Sequence, residues 1–191
     1  MRPAVFLDRD GTLIEERGYL DRLDLLSLFP YTADALRLLS RAGFATVVVT
    51  NQSAIGRGII DEAFLGQVHA ALDAELAKGG ARIDRYYYCP HHPEAEVPAY
   101  RQTCRCRKPG PGMIEQACRE MGLDPARSVM VGDRWLDIRC GRAAGTRTVL
   151  VRSGPGGHEI DAGPGDAVVA ADAILNDLME ATGWILRTSS R

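Results

Sequence analysis

Three apolar runs constrain the fold of this chain more than any other feature: each is short, predominantly apolar and carries β-branched residues, the mark of a strand buried on both faces. Residues 4–7 stop at Asp8, residues 44–50 at Asn51, and residues 128–131 at Gly132 and Asp133. Between the first two runs, Ala33, Leu36, Leu38 and Leu39 recur at helical spacing, with Thr32 as the expected N-cap and Gly43 as the stop. The helical period returns over residues 61–78 through Phe64, Leu65, Val68, Leu72 and Leu76, ends at Gly79 and Gly80, and is followed by a strand over residues 83–88. A helix over residues 113–121 enters through Pro111 and closes at Gly122; another covers residues 135–144, and residues 146–151 read as a strand. A last helix is expected over residues 172–182. Strands that alternate with helices in this way predict an α/β fold, a mainly parallel sheet with right-handed crossovers and ligands at the carboxyl ends of its strands. Two stretches follow neither period. Residues 89–111, rich in Pro, His and Cys, form a long functional loop, and residues 153–165, rich in Gly, form a connection expected to be mobile.

A chain of 191 residues is expected to form a single domain over residues 1–191, large enough to hold a core without staples. Its 23 Lys and Arg nearly balance its 25 Asp and Glu, which argues against a nucleic-acid coat, since that needs a basic excess to displace counterions from phosphates. No apolar stretch approaches a membrane span and charge arrives too early for a signal peptide, so a soluble, cytoplasmic monomer with no membrane or nucleic-acid partner is expected. Five cysteines, an odd number, then point to reduced thiols or a metal and not to a disulfide framework.

The strand ends carry the chemistry. Asp8 and Asp10 follow the first strand, Thr50 and Asn51 the second, and Gly132 and Asp133 the fourth, and a parallel sheet brings such ends together. Side chains on an extended segment alternate with period two, so Asp8 and Asp10 point into one cleft. Asp133 would complete an oxygen-rich site suited to Mg2+, and Lys108 supplies a compact positive charge. Hydrolysis of a phosphate monoester needs this mixture: a nucleophile in line with the leaving oxygen, cations on the equatorial oxygens and an acid for the departing alkoxide. In the long loop, Cys89, His91, Cys104 and Cys106 offer three thiolates and an imidazole in two close pairs, a set suited to a closed tetrahedral zinc site; reduced surface cysteines are the alternative. A loop of this polarity cannot bury enough apolar surface to order itself, and a bound ion would replace the missing core. Arg17, Arg107 and Arg134 are placed to hold a second anionic group away from the first, which favours a bisphosphate.

The segments DRDGT (8–12), VVVTN (47–51), CRKP (106–109) and VGDRWLD (131–137) resemble the four ordered motifs of the haloacid dehalogenase-like phosphatases. CPHHP followed by CRCRKP is similar to the zinc loop of their heptose-bisphosphate and histidinol-phosphate phosphatase branch. The resemblance implies a Rossmann-like sheet with helices on both faces, and the short spacing between motifs leaves no room for a large cap domain. It further implies that Asp8 is the nucleophile, that Asp10 protonates the leaving group and later activates water, and that Thr50 and Lys108 steady the phosphoryl group. Mg2+ would be held by Asp8, the Asp10 carbonyl and Asp133, with Asp137 behind them; structural Zn2+ would be held by Cys89, Cys104, Cys106 and, of the two adjacent histidines, His91. Glu16, Arg17, Gly18, Tyr19, Asn51, Gln52, Ser53, Arg107 and Arg134 would contact a small-molecule sugar bisphosphate. The segments DRDGTL, TNQSAIGRG and CRKPGPGM favour removal of the 7-phosphate of D-glycero-D-manno-heptose 1,7-bisphosphate; family members usually carry Lys where this chain has Arg134. Histidinol phosphate and a polynucleotide 3'-phosphate are the alternative substrates, and a zinc-containing binding module is the non-enzymatic alternative. His69 and His158, without partners in a motif, and Cys118, Cys140 and Trp135 are assigned to packing or surface.

Overall fold

The computed structural model describes residues 1–154, 156, 160–161 and 170–189. Six strands, β1 (Ala4–Leu7), β2 (Ala45–Asn51), β3 (Arg85–Cys89), β4 (Val129–Gly132), β5 (Arg147–Val151) and β6 (Ala173–Leu175), form one sheet in the order β3-β2-β1-β4-β5-β6. Every pairing in it is parallel. The helices are α1 (Thr32–Arg41), the single turn α2 (Ser53–Gly56), α3 (Glu62–Lys78), α4 (Gly112–Met121), α5 (Trp135–Ala143) and α6 (Leu178–Ser189).

Strand alternation divides the core into two layers. Val5, Leu7, Val48, Val129, Val131, Val149 and Val151 face one side and pack with Leu36 and Leu39 of α1, Leu72 and Leu76 of α3, and Leu178, Ala181 and Ile185 of α6. Ala4, Phe6, Val47, Val49 and Met130 face the other and pack with Met113, Ile114 and Ala117 of α4 and Cys140 of α5. Helices therefore cover both faces, and the uniform apolarity of β1 follows from this double burial: all four of its residues are fully buried.

Several boundaries shift by a residue or two, and three departures from the sequence reading follow from specific contacts. Thr32 is the first residue of α1 and not its cap, because its hydroxyl donates to the Leu13 carbonyl at 2.8 Å and ties the helix to the loop after β1. The third strand starts at Arg85 because Asp84 is spent accepting from the Thr46 N–H at 3.0 Å and from Arg2 at 2.8 Å. Residues 172–182 are not one helix: Ala173–Leu175 adds the edge strand β6, and α6 starts later, where Asp177 accepts from the Glu180 N–H at 2.9 Å. Of the glycine-rich connection, residues 155, 157–159 and 162–165 lie outside the described residues, and His158 with them. Among the described residues no helix is long and apolar enough to cross a membrane.

Candidate active site

In the strand order found here, chain direction reverses its progress between β1 and β4, and a doubly wound sheet opens its ligand crevice outside the carboxyl ends at that point. Asp8 extends β1 by one rung, its N–H donating to the Val131 carbonyl at 2.9 Å, and its carboxylate accepts from the Arg9 N–H at 2.8 Å. The chain then turns away at Gly11, whose φ of 76° suits glycine; a β-carbon there would lie 2.6 Å from Asp133 Oδ2. Asp133 follows β4 and is fully buried; its Oδ2 accepts from the Gly156 N–H at 3.2 Å, while its Oδ1 has no hydrogen-bond partner among the described residues. Asp137, in the first turn of α5, caps that helix by accepting from the Arg134 N–H at 3.1 Å.

Lys108 joins these carboxylates. It is 2% exposed, and its Nζ lies 2.8 Å from Asp8 Oδ1 and 2.6 Å from Asp137 Oδ1. Burial works against the lysine's charge, but Asp137 and then Asp8 outweigh it and hold Lys108 above the ordinary lysine range. Asn51 fixes the backbone that carries it: Asn51 Nδ2 donates to the Lys108 carbonyl at 3.2 Å and its Oδ1 accepts from the Lys108 N–H at 3.0 Å, as a neighbouring strand would. Asn51, expected as a substrate contact, thus also positions the lysine.

The carboxylate oxygens of Asp8, Asp133 and Asp137 come within 4.8 Å of one another. Burial, opposed by Lys108 and reinforced by Asp137 and Asp10, pushes the Asp8 carboxyl up to about 6, and burial with the charges of Asp8 and Asp137 pushes Asp133 up to about 8. Three crowded acids, one with an unpartnered buried oxygen, fit a hard divalent cation. A second cluster fits a softer one. Cys89, His91, Cys104 and Cys106 place three Sγ atoms and the His91 Nδ1 within 4.8 Å, with sulfur separations of 3.0 to 3.4 Å that are far longer than a disulfide. Burial pushes the Cys89 thiol well above its ordinary range, a cost that a metal would offset by stabilising the thiolate. His92 points elsewhere and accepts from the Glu94 N–H at 3.1 Å. Gly112 lets α4 approach this knuckle, since a β-carbon there would lie 2.6 Å from the Arg105 carbonyl.

A cavity of about 340 Å3 opens above the strand ends, lined among others by Asp8, Asp10, Thr50 and Lys108. Glu16, Gly18, Tyr19, Asn51, Gln52, Ser53, Arg107 and Arg134 line it as well. Arg107 donates to the His91 carbonyl at 3.0 Å, which joins the metal knuckle to the cavity wall, and Arg134 meets both oxygens of Glu16 at 3.0 and 3.1 Å. Arg17 is exposed and paired with Glu15, and it lines a small adjoining pocket together with Asp10, Gly18 and Tyr19. The expectation that Asp8 and Asp10 share a cleft holds, but not for the reason of strand alternation. β1 ends at Leu7, the backbone bends, and Arg9 lines the same cavity. Sequence reasoning missed Arg9; its only signal was a lone cation set between two acids. His69 stacks on Tyr86 with ring centroids 4.1 Å apart and is pushed down to about 4 by burial and then by the Arg9 charge, a packing role as expected. Cys140 donates to the Gly110 carbonyl at 3.3 Å, Cys118 packs at the edge of the same core layer, and Trp135 packs with Ile138, Leu150 and Ile160.

A family model described as HAD-hydrolase-like matches residues 105–181. The chain is 44% identical to the D-glycero-beta-D-manno-heptose-1,7-bisphosphate 7-phosphatase of Escherichia coli (strain K12), covering 93% of this chain and 91% of that protein. It is 43% identical to the enzyme of the same name from Yersinia pestis, covering 93% and 92%. The crystal structure of a D,D-heptose 1,7-bisphosphate phosphatase from B. bronchiseptica, complexed with magnesium and phosphate, superposes with a TM-score of 0.85 at 29% identity, over 97% of this chain and 99% of that one.

Proposed function

This chain belongs to the haloacid dehalogenase-like phosphatases, and from that premise we propose that it removes the 7-phosphate of D-glycero-D-manno-heptose 1,7-bisphosphate in nucleotide-activated heptose synthesis. It hydrolyses a phosphomonoester to an alcohol and inorganic phosphate. The observation that carries the proposal is one cavity lined both by Lys108, paired with Asp8, and by Arg107 and Arg134. A substrate with two phosphates gives both the lysine and the arginines an anionic partner.

Asp8 attacks the phosphorus atom and the bond to the ester oxygen breaks, leaving an aspartyl-phosphate. Asp10 gives its proton to the departing alkoxide, then takes one from the water that attacks the intermediate, and inorganic phosphate leaves. Thr50 and Lys108 hold the phosphoryl oxygens, and Lys108 screens the repulsion between the Asp8 carboxylate and the phosphate dianion. Asp8, the Asp10 carbonyl and Asp133 would hold Mg2+, which would supply further charge neutralisation on the transferring group. Asp137 keeps Lys108 aimed. Cys89, His91, Cys104 and Cys106 would hold Zn2+, which would order the loop that presents Arg107 and Lys108.

The test is kcat/KM for both anomers of the heptose bisphosphate, for fructose 1,6-bisphosphate and for histidinol phosphate. A heptose bisphosphate is expected to lead by about tenfold or more. A lead by histidinol phosphate would assign the other branch activity, which the two arginines of the wall disfavour.

Metal binding should show in stability. The Asp133 carboxyl titrates near 8 in the folded chain against an ordinary 3.8, so folding favours its protonated form and metal-free stability falls as pH rises through 8. Mg2+ binds the ionised acids, so its stabilising shift in Tm is expected to be larger at about pH 8.5 than at about pH 6.5. Equal shifts at both would contradict the proposed ligands. Cys104→Ser is expected to cut bound zinc from about one equivalent to below half and to lower kcat about tenfold through the displaced Lys108; full zinc by elemental analysis would remove Cys104 from the set.

A further inference from the structure

We propose that Arg9 is a positioning residue for this reaction: together with Gln52 it holds the Asp10 carboxyl group at the cavity, and a contact at Oδ2 opens when that oxygen carries the proton bound for the departing oxygen. The proposal rests on Asp10 being the acid. Arg9 is only 2% exposed. Its Nε and Nη2 donate to Asp10 Oδ1 at 3.2 and 2.9 Å, and Nη2 also reaches Oδ2 at 2.9 Å. Gln52 completes the clamp, its Nε2 donating to Asp10 Oδ2 at 3.0 Å and its Oε1 accepting from Arg9 Nη2 at 3.1 Å. Gln52 is itself tied to the strand end by a 2.9 Å bond from Nε2 to Thr50 Oγ1. Both Asp10 oxygens are therefore held at once from the segments that follow β1 and β2.

The physical need for such a clamp is clear. The terminal torsion of an aspartate is broad, and the Asp10 side chain is 25% exposed at the cavity, where little packing would hold it. A planar fork removes that freedom, whereas the point charge of a lysine would not. Nε and Nη2 are engaged by Asp10 and Gln52, whereas Nη1 is buried without a hydrogen-bond partner among the described residues, so the test below also separates positioning of Asp10 from contact with the phosphoryl group.

The leaving group discriminates this role from a structural one. p-Nitrophenolate departs without a proton, whereas a sugar alkoxide needs one. Single-turnover formation of the phosphoryl-enzyme would be followed by rapid quench with p-nitrophenyl phosphate and with the sugar phosphate of highest kcat/KM in the panel above. Arg9→Lys is expected to slow the sugar ester about 100-fold and the aryl ester less than about fivefold, with KM changed less than about threefold. Gln52→Met should show the same asymmetry at about tenfold. Equal losses on both esters would overturn the proposal, as would a raised KM at unchanged kcat, which would make Arg9 a phosphate ligand. If Arg9→Lys fails to fold by circular dichroism, the ester ratio of Gln52→Met decides alone. Asp10→Asn separates the two levels: ester-dependent loss there and none in Arg9→Lys removes the clamp, whereas ester-independent loss in Asp10→Asn removes the acid assignment beneath it.

Discussion

Asp8→Asn is expected to lower kcat by about 10⁴-fold or more while leaving the protein folded. The amide keeps the size of the carboxylate, and its Oδ1 is able to accept the 2.8 Å bond from the Arg9 N–H. Lys108 keeps Asp137 as a partner at 2.6 Å, so no buried cation is left alone. The amide is a far weaker nucleophile than the carboxylate, so no phosphoryl-enzyme should accumulate. Removing one charge from three crowded acids also relieves repulsion, so Tm without metal is expected to hold or rise. Steady-state turnover of the heptose bisphosphate and acid-quench trapping of the phosphoryl-enzyme measure this. A variant within about tenfold of the parent would take the nucleophile's role from Asp8.

Lys108→Met is expected to fail in two separable ways. Turnover should fall about 10³-fold, since the cation stabilises charge that develops in the transition state. Stability without metal should fall by about 3 kcal/mol, because Asp8 and Asp137 would share a buried site with their common counter-ion gone. The loss should be larger at about pH 8 than at about pH 6, where the carboxyl groups of Asp8 and Asp133 take up protons more readily. Urea denaturation at the two pH values reads this difference. A stable variant with kcat near that of the parent would demote Lys108 to a surface charge, at odds with its 2% exposure.

Much of the site was legible because its residues sit where strands end. Asp8 and Asp133 each follow a buried apolar run and Thr50 lies at the end of one, and β2, β1 and β4 are neighbours in the sheet, so ordering the strands gathers them. The four metal-knuckle residues were legible for a different reason: ligand chemistry and close pairing are properties of the local chain. The partner of Arg17, here Glu15, was not legible because loop conformation has no periodicity to read. The edge strand β6 was missed because its three residues are too few to show alternation, and its identity rests on pairing with β5.

Periodicity and motif order alone determined the α/β architecture, the acids at the strand ends and the pairing of soft ligands, because burial on both faces and metal affinity leave marks in the residues themselves. Contacts between distant segments decided the rest: Asn51 holding the backbone of Lys108, Asp137 bonding that lysine directly, and Arg9 turning back onto Asp10. Those contacts depend on side-chain directions set by a bent backbone and by packing across the sheet, which no spacing along the chain records.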